Sequence, residues 1–341
     1  MTVSVPSLWP SVSVVIPIYN GEDDLPDLMA CLWRQTYHSQ RVEYLLVDNN
    51  SRDRTHTLLQ SYAQQGKARG LNLKVLQECQ IQSSYAARNL GIKQAKGDII
   101  AFTDADCRPD ATWLENLVQP FLSDPESETV LNQKLSVQED SDPSLKVGLV
   151  AGEVKALPSC SLLEAIADRQ ETLSQKHTLA HPFRPYGQTA NLAIRRSIFN
   201  HSGLFRPYLT TGGDADMCWR ILDSGEWRIE FSQEAIVKHR HRSTLQELKK
   251  QWQRYGRSNR YLHALHNINL TRDLTGRDYI YRWSRWAIKE LPSAVVSMIM
   301  GQGDWIDVVN TPVGLFCTQA RSYGQRQAQL PPKAEIIDWL T

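Results

Sequence analysis

The chain has 341 residues, of which 41% are hydrophobic and 22% charged, with 18 Gly and 16 Pro. Such a composition excludes a disordered chain, a collagen-like fibre and a coiled-coil rod, and the length suits one large domain or a domain with an appendage. Lys and Arg number 38 against 37 Asp and Glu, a net charge of +1, so the chain has no overall nucleic-acid signature.

Residues 11–18 (SVSVVIPI) form a β-branched run ended by a turn at Asn20-Gly21. Further strands are expected at 42–47, 73–76 and 98–103, with helices at 24–33, 53–64 and 83–95 between them. Short apolar strands alternating with helices predict an α/β fold around a mostly parallel sheet covered on both faces. Its strand tips then share one edge, where such sheets bind ligands. A helix is expected at 113–121. After it, 123–146 carries six acidic residues against two lysines and reads as an exposed, mobile loop. Strand character returns at 147–154 and helical character at 162–173.

From 238 to 289 the chain holds 13 Lys and Arg against three Asp and Glu, a local balance of +10, with aromatics interleaved. Helices are expected at 243–266, 279–300 and 305–320, the last interrupted at Pro312. The tail with Pro331-Pro332 is expected to be loosely attached. Six scattered cysteines (Cys31, Cys79, Cys107, Cys160, Cys218 and Cys317) form no close pair and read as reduced, mostly buried thiols. No secretory signal pattern opens the sequence and no run of 18 apolar residues occurs, so a cytoplasmic chain is expected, at most peripheral on the cytoplasmic face of a membrane.

Three acidic positions follow predicted strands or glycines. Asp48 ends EYLLV, where a carboxylate can accept from a base or ribose, or simply close an Asx turn. Asp104-Ala105-Asp106 follows DIIAFT. Two carboxylates this close repel unless a cation compensates them, and hard oxygen ligands of this kind suit Mg²⁺ or Mn²⁺. Arg108 offers the alternative of a plain ion pair. Gly212-Gly213-Asp214-Ala215-Asp216 stands at a helix entry. One acid there can cap the helix or serve as general base, and Asp216 can pair with Arg220 at i,i+4. His239 and His241 alternate after a short predicted strand, so one of them should face inward.

Taken in order, these motifs resemble the inverting family 2 glycosyltransferases with the GT-A fold, over about 10–241. Val14-Val15-Ile16-Pro17-Ile18-Tyr19-Asn20 resembles the family's opening strand and nucleotide-binding turn. Val47 to Asp53 is similar to its second motif, and Ala86-Ala87-Arg88-Asn89-Leu90-Gly91 to the segment leading into its DxD motif, here Asp104-Ala105-Asp106. Gly213-Asp214-Ala215-Asp216 looks like the acceptor-side segment, and His239 like a late metal- or diphosphate-facing histidine. The resemblance implies a GT-A domain over 10–241, a basic helical region over 242–325 and a tail over 326–341. It implies hexosyl transfer with inversion from a nucleoside diphosphate sugar, most simply UDP-linked, with Mn²⁺ or Mg²⁺. Pro17 and Tyr19 would shape the first turn, Asp48 would hold the base, Arg88 would lie near base or phosphates, and Asp104 near the ribose. Asp106 and His239 would hold the metal, and Asp214 would be the base.

The chain departs from the family pattern in two places. Gly213 stands where Glu is common, and Asn49-Asn50 where Asp-Gly is common. Gln251-Trp252-Gln253-Arg254-Tyr255 faintly echoes a motif of processive members, but those carry membrane spans and this chain has none. The acceptor is expected to be a lipid, a glycan or another small hydroxylated molecule, with the +10 segment suited to an anionic membrane surface. Two other functions fit the residues less well: a metal-dependent hydrolase or nucleotidyltransferase, and a non-catalytic membrane-surface protein that keeps a nucleotide fold. A dinucleotide-cofactor enzyme is disfavoured because no Gly-x-Gly-x-x-Gly follows the first strand.

Overall fold

A computed structural model describes residues 9–122 and 145–340. The chain falls into two compact units, one comprising 1–155, 174–239 and 332–341, the other 156–173 and 240–331. Most of the acidic stretch expected near 123–146 lies outside the described residues.

In the first unit, β1 (Val12–Ile18), β2 (Val42–Asp48), β3 (Asn72–Gln77) and β4 (Ile99–Phe102) are parallel, in the order β3-β2-β1-β4. Every residue of β1 and β2 is buried, the signature of strands covered on both faces. Beyond β4 the sheet turns antiparallel, through β7 (Leu192–Arg195) and β6 (Lys146–Ala156) to β8 (Trp227–His239) and the short β5 (Cys107–Pro109). The eight-stranded sheet is therefore mixed, and largely parallel in the half that carries the first motifs.

Two features of register matter for the site. Ile18 pairs with Asp48, which sets the tips of β1 and β2 level. Cys107 pairs with His239, which brings the end of β8 beside Asp106.

The helices of this unit are α1 (Leu25–Leu32), α2 (Thr55–Ala68), α3 (Ser84–Gln94), α4 (Trp113–Val118) and, after α5 (Leu162–Arg169) of the other unit, α6 (Lys176–Leu179), α7 (Phe199–Ser202) and α8 (Gly213–Leu222). Ser83 caps α3 by accepting from the Tyr85 N–H. The tail is not loosely attached. Asp338 pairs with Lys93 at 2.8 Å, its carbonyl accepts from the Leu204 N–H at 2.7 Å, and Arg206 donates to the Glu335 carbonyl. Proline content alone hid these partners, which lie more than a hundred residues upstream.

The second unit is helical: α5 (Leu162–Arg169), α9 (Leu245–His266), α10 (Gly276–Arg285), α11 (Leu291–Ile299) and α12 (Trp305–Gln327), with a π-turn at Trp286–Glu290 joining α10 to α11. Capping boxes at Thr244/Glu247, Thr275/Asp278 and Asp304/Asp307 start three of them. Pro312 does not interrupt α12. Its missing N–H leaves the Val308 carbonyl without a helical partner, and the Trp286 indole Nε1–H donates to that carbonyl at 2.8 Å. Helices α9 and α12 touch through glycines: a side chain at Gly256 would strike the Arg321 carbonyl, and one at Gly324 the Gln253 carbonyl. Among the described residues no helix is long and apolar enough to cross a membrane.

Candidate functional site

The tips of β1 and β2 are laced together. The Asn20 N–H donates to Ser51 Oγ at 2.9 Å and the Arg52 N–H to Asn20 Oδ1 at 2.8 Å. The Gly21 N–H reaches Thr55 Oγ1 at 2.8 Å. Asn20 and Asn50 take φ values of 49° and 61°, which Asn accepts more readily than most side chains. Asp48 is buried. Its Oδ1 accepts from the Ser51 N–H at 3.0 Å, so the turn reading of this residue is realised, and its Oδ2 lies 3.3 Å from His56 Nδ1. Pro17 is a buried residue inside β1, in register with Val47, while Tyr19 is exposed at the tip.

Next to this turn is the acidic pair; Ala105 is a neighbour of Gly21. Arg88, on α3 and only 4% exposed, places its Nη2 2.5 Å from Asp104 Oδ1. Burial works against its charge, but Asp104 and then Asp214 outweigh that and hold the guanidinium protonated. Arg108 does pair with carboxylates, but with those of α1: Asp24 at 2.8 Å and Asp27 at 3.4 Å. It therefore leaves Asp104 and Asp106 to other cations. Asp110 is taken by Lys238 at 2.8 Å.

Asp106 Oδ2 lies 3.1 Å from His239 Nε2, a pairing set by the β5–β8 register. Asp106, Cys107 and His239 present ligand atoms within 4.8 Å of one another. Burial pushes the Cys107 thiol well up, so it stays protonated and is a poor ligand. A carboxylate oxygen and an imidazole nitrogen remain, a donor set that fits Mn²⁺ or Mg²⁺ with places left for water or phosphate oxygen. His239 and His241 lie two residues apart, a spacing that shares one face of a strand, so the expectation that only one of them faces inward fails on its own geometry. β8 is 13 residues long and ends at His239, and His241 is buried beyond it.

Asp214 and Asp216 open α8, and the structure separates them. Asp216 is fully buried between Arg206 at 2.9 Å and Arg220 at 3.1 Å. The expected i,i+4 pair is present, and Arg206 is a second partner that helical spacing could not reveal. Asp214 accepts from Thr189 Oγ1 at 3.0 Å. Burial raises its carboxyl above the usual range, Arg88 pulls it down, and Asp104 pushes it up again. Asp104, Arg88 and Asp214 thus form one electrostatic set.

The glycine before Asp214 has a packing reason. A side chain at Gly213 would enter the Tyr85 ring, whose hydroxyl accepts from the Gly213 N–H at 2.9 Å. Thr189, Tyr85 and His56 are the site neighbours that sequence reasoning missed. Thr189 lies 25 residues from Asp214 and Tyr85 lies 128 from Gly213, distances at which no local pattern carries a signal.

The model of the family described as "Glycosyl transferase family 2" matches residues 13–145. The chain is 32% identical over 267 residues to glycosyltransferase AglE of Haloferax volcanii, covering 78% of each protein. It is 27% identical over 236 residues to a pre-mycofactocin glycosyltransferase of Mycobacterium tuberculosis, covering 69% of this chain and 44% of that one. Among solved structures, the mannosyltransferase PcManGT from Pyrobaculum calidifontis, in complex with GDP-Man and Mn²⁺, shares the fold. The TM-score is 0.56 at 16% identity, over 94% of this chain and 88% of that one.

Proposed function

We propose a mechanism from one premise: the chain belongs to glycosyl transferase family 2. It is a glycosyltransferase of the hexosyltransferase class with a GT-A fold, moving a sugar from a nucleoside diphosphate donor to a hydroxyl acceptor. In our reading the donor is UDP-linked. Asp48 accepts from the base, with Pro17 and Tyr19 shaping the turn around it, and Asp104 lies near the ribose. Arg88 holds Asp104 in place and keeps positive charge close to the donor phosphates.

Asp106 and His239 would hold Mn²⁺ or Mg²⁺. Bound there, the ion offsets negative charge on the departing nucleoside diphosphate. Asp214 takes the proton from the acceptor hydroxyl while that oxygen attacks the anomeric carbon from the face opposite the leaving group. The C–O bond to the diphosphate breaks as the new glycosidic bond forms, so configuration inverts and no enzyme nucleophile is required. A general base is most useful when its pKa approaches the working pH, and the enclosed position of Asp214 moves it in that direction.

The observation that carries this reading is buried Arg88, paired with Asp104 and coupled to Asp214. We read the acceptor as a lipid-borne or glycan hydroxyl and the enzyme as peripheral on the cytoplasmic face of a membrane.

The test is a donor screen read by nucleotide release, with Mn²⁺, Mg²⁺ or chelator, using UDP- and GDP-sugars side by side. Release from UDP-sugars that needs divalent metal, abolished in Asp214→Asn with UDP binding retained, is the expected result. An unchanged rate in that variant would remove Asp214 as base. A preference for GDP-sugars would overturn the donor assignment alone.

A further inference from the structure

Helices α10 and α11 expose what soluble helices cover. Ile280 is 69% exposed, Ile288 79% and Ile299 80%, and Val295 and Met300 are exposed beside them. Ile280, Ile288, Val295 and Ile299 recur at helical spacing, so they form one apolar stripe running through the π-turn. Arg282, Arg285 and Lys289, all exposed, follow a second stripe at i, i+3 and i+7. Trp305, at the start of α12, is 63% exposed. The acids of this stretch are occupied locally. Asp278 closes the capping box of α10 and pairs with Arg272 at 3.2 Å. Glu290 pairs with Arg285 at 2.8 Å and accepts from Thr311 Oγ1 at 2.5 Å.

We infer that the α10–α11 face is a membrane-docking surface that lies in the plane of an anionic bilayer. This deepens, and rests on, the reading of the chain as a peripheral transferase by naming the surface and its partner. An apolar stripe flanked by cations, with an exposed indole nearby, fits a helix whose apolar side sinks to the acyl boundary while its basic side meets lipid phosphates. Charge decides against a second copy as the occupant. A self-pairing face would bring Arg282 and Lys289 of both copies together, with the neighbouring acids already engaged. The hold of the Trp286 indole on the Val308 carbonyl ties this helical pair to α12, so the exposed stripe sits on a fixed support.

The test is co-sedimentation of the full chain with vesicles of phosphatidylcholine alone, and of phosphatidylcholine with phosphatidylglycerol, at low and high salt. Binding to the anionic vesicles, weakened by salt, is expected. The variant Ile280→Glu/Ile288→Glu/Ile299→Glu should lose about ten-fold or more in vesicle binding. The variant Arg282→Gln/Lys289→Gln should lose about thirty-fold and show a flatter salt dependence, and it keeps the test decisive if the first variant folds poorly. Both should bind UDP as the parent does. No binding at either salt, equal binding by both variants, or a vesicle-independent dimer that the glutamates dissolve would each overturn the proposal. Vesicle binding without any UDP binding would leave the docking surface standing and remove the nucleotide assignment instead.

Discussion

The two units break the ordinary burial rules in opposite directions. The sheet unit hides charge: Arg88, Arg108, Asp48 and Asp216 are all buried there. The helical unit shows oil: Ile280, Ile288 and Ile299 stand in solvent. Desolvated charge is expensive unless paired, and the sheet unit meets that requirement with Asp104 for Arg88, Asp24 for Arg108, and Arg206 with Arg220 for Asp216. Exposed apolar surface carries a weaker penalty, which a partner can relieve. The contrast teaches that an internal anomaly is answered within the fold, and an external one by something outside it.

Substitutions can break this contrast in order of size. Asp214→Asn should lower kcat about 10³-fold, with UDP binding unchanged by calorimetry. Equal activity would show that the charge of Asp214 is not used in turnover. Asp216→Asn should lower unfolding free energy by about 3 kcal/mol, because it removes the fully buried carboxylate that two mostly buried guanidiniums share; denaturant titration reads this, and the donor KM of the surviving folded enzyme should be little changed. In the helical unit Gly256→Ala should cost about 1–3 kcal/mol by overpacking against the Arg321 carbonyl. The same change at Gly225, which has open space around it but a positive φ of 72°, should cost less and serves as the comparison.

The pH dependence sharpens the comparison further. Because the Asp214 carboxyl is raised, activity should fall on acidification at a pH above that of an ordinary carboxylate, as the base takes up its proton. Linkage runs the other way for stability. A folded-state pKa above the unfolded one favours the protonated fold, so this contribution is present at low pH and is lost as pH rises through the folded pKa. Asp214→Asn should therefore raise Tm slightly at neutral pH, the smallest effect predicted, checked by thermal melts at two pH values.

The parallel half of the fold was legible because β1 and β2 announce themselves as unbroken apolar runs. The candidate carboxylates stand out in the sequence because each follows a strand or a glycine pair. What escaped detection depends on pairings between distant residues. Pro312 reads as a helix breaker until the Trp286 indole, 22 residues from Val308, is seen to take the carbonyl it leaves. Asp216 offers Arg220 at helical spacing but gives no hint of Arg206. The acid limb of Asp214 depends on its burial and then on Arg88 and Asp104, neither of which is near it in sequence.

The anchored tail changes how the molecule can be cut. Residues 332–341 belong to the sheet unit although 240–331 belong to the helical one, so the C-terminal helical extension is followed by a segment that returns to the sheet. A fragment stopping after β8 would lose Asp338, and with it the ion pair to Lys93 on the same helix that carries Arg88. Such a fragment should melt earlier than the full chain and turn over more slowly. Splicing a short linker between residues 239 and 332 keeps this pair and removes most of the helical unit, though α5 (Leu162–Arg169) stays behind.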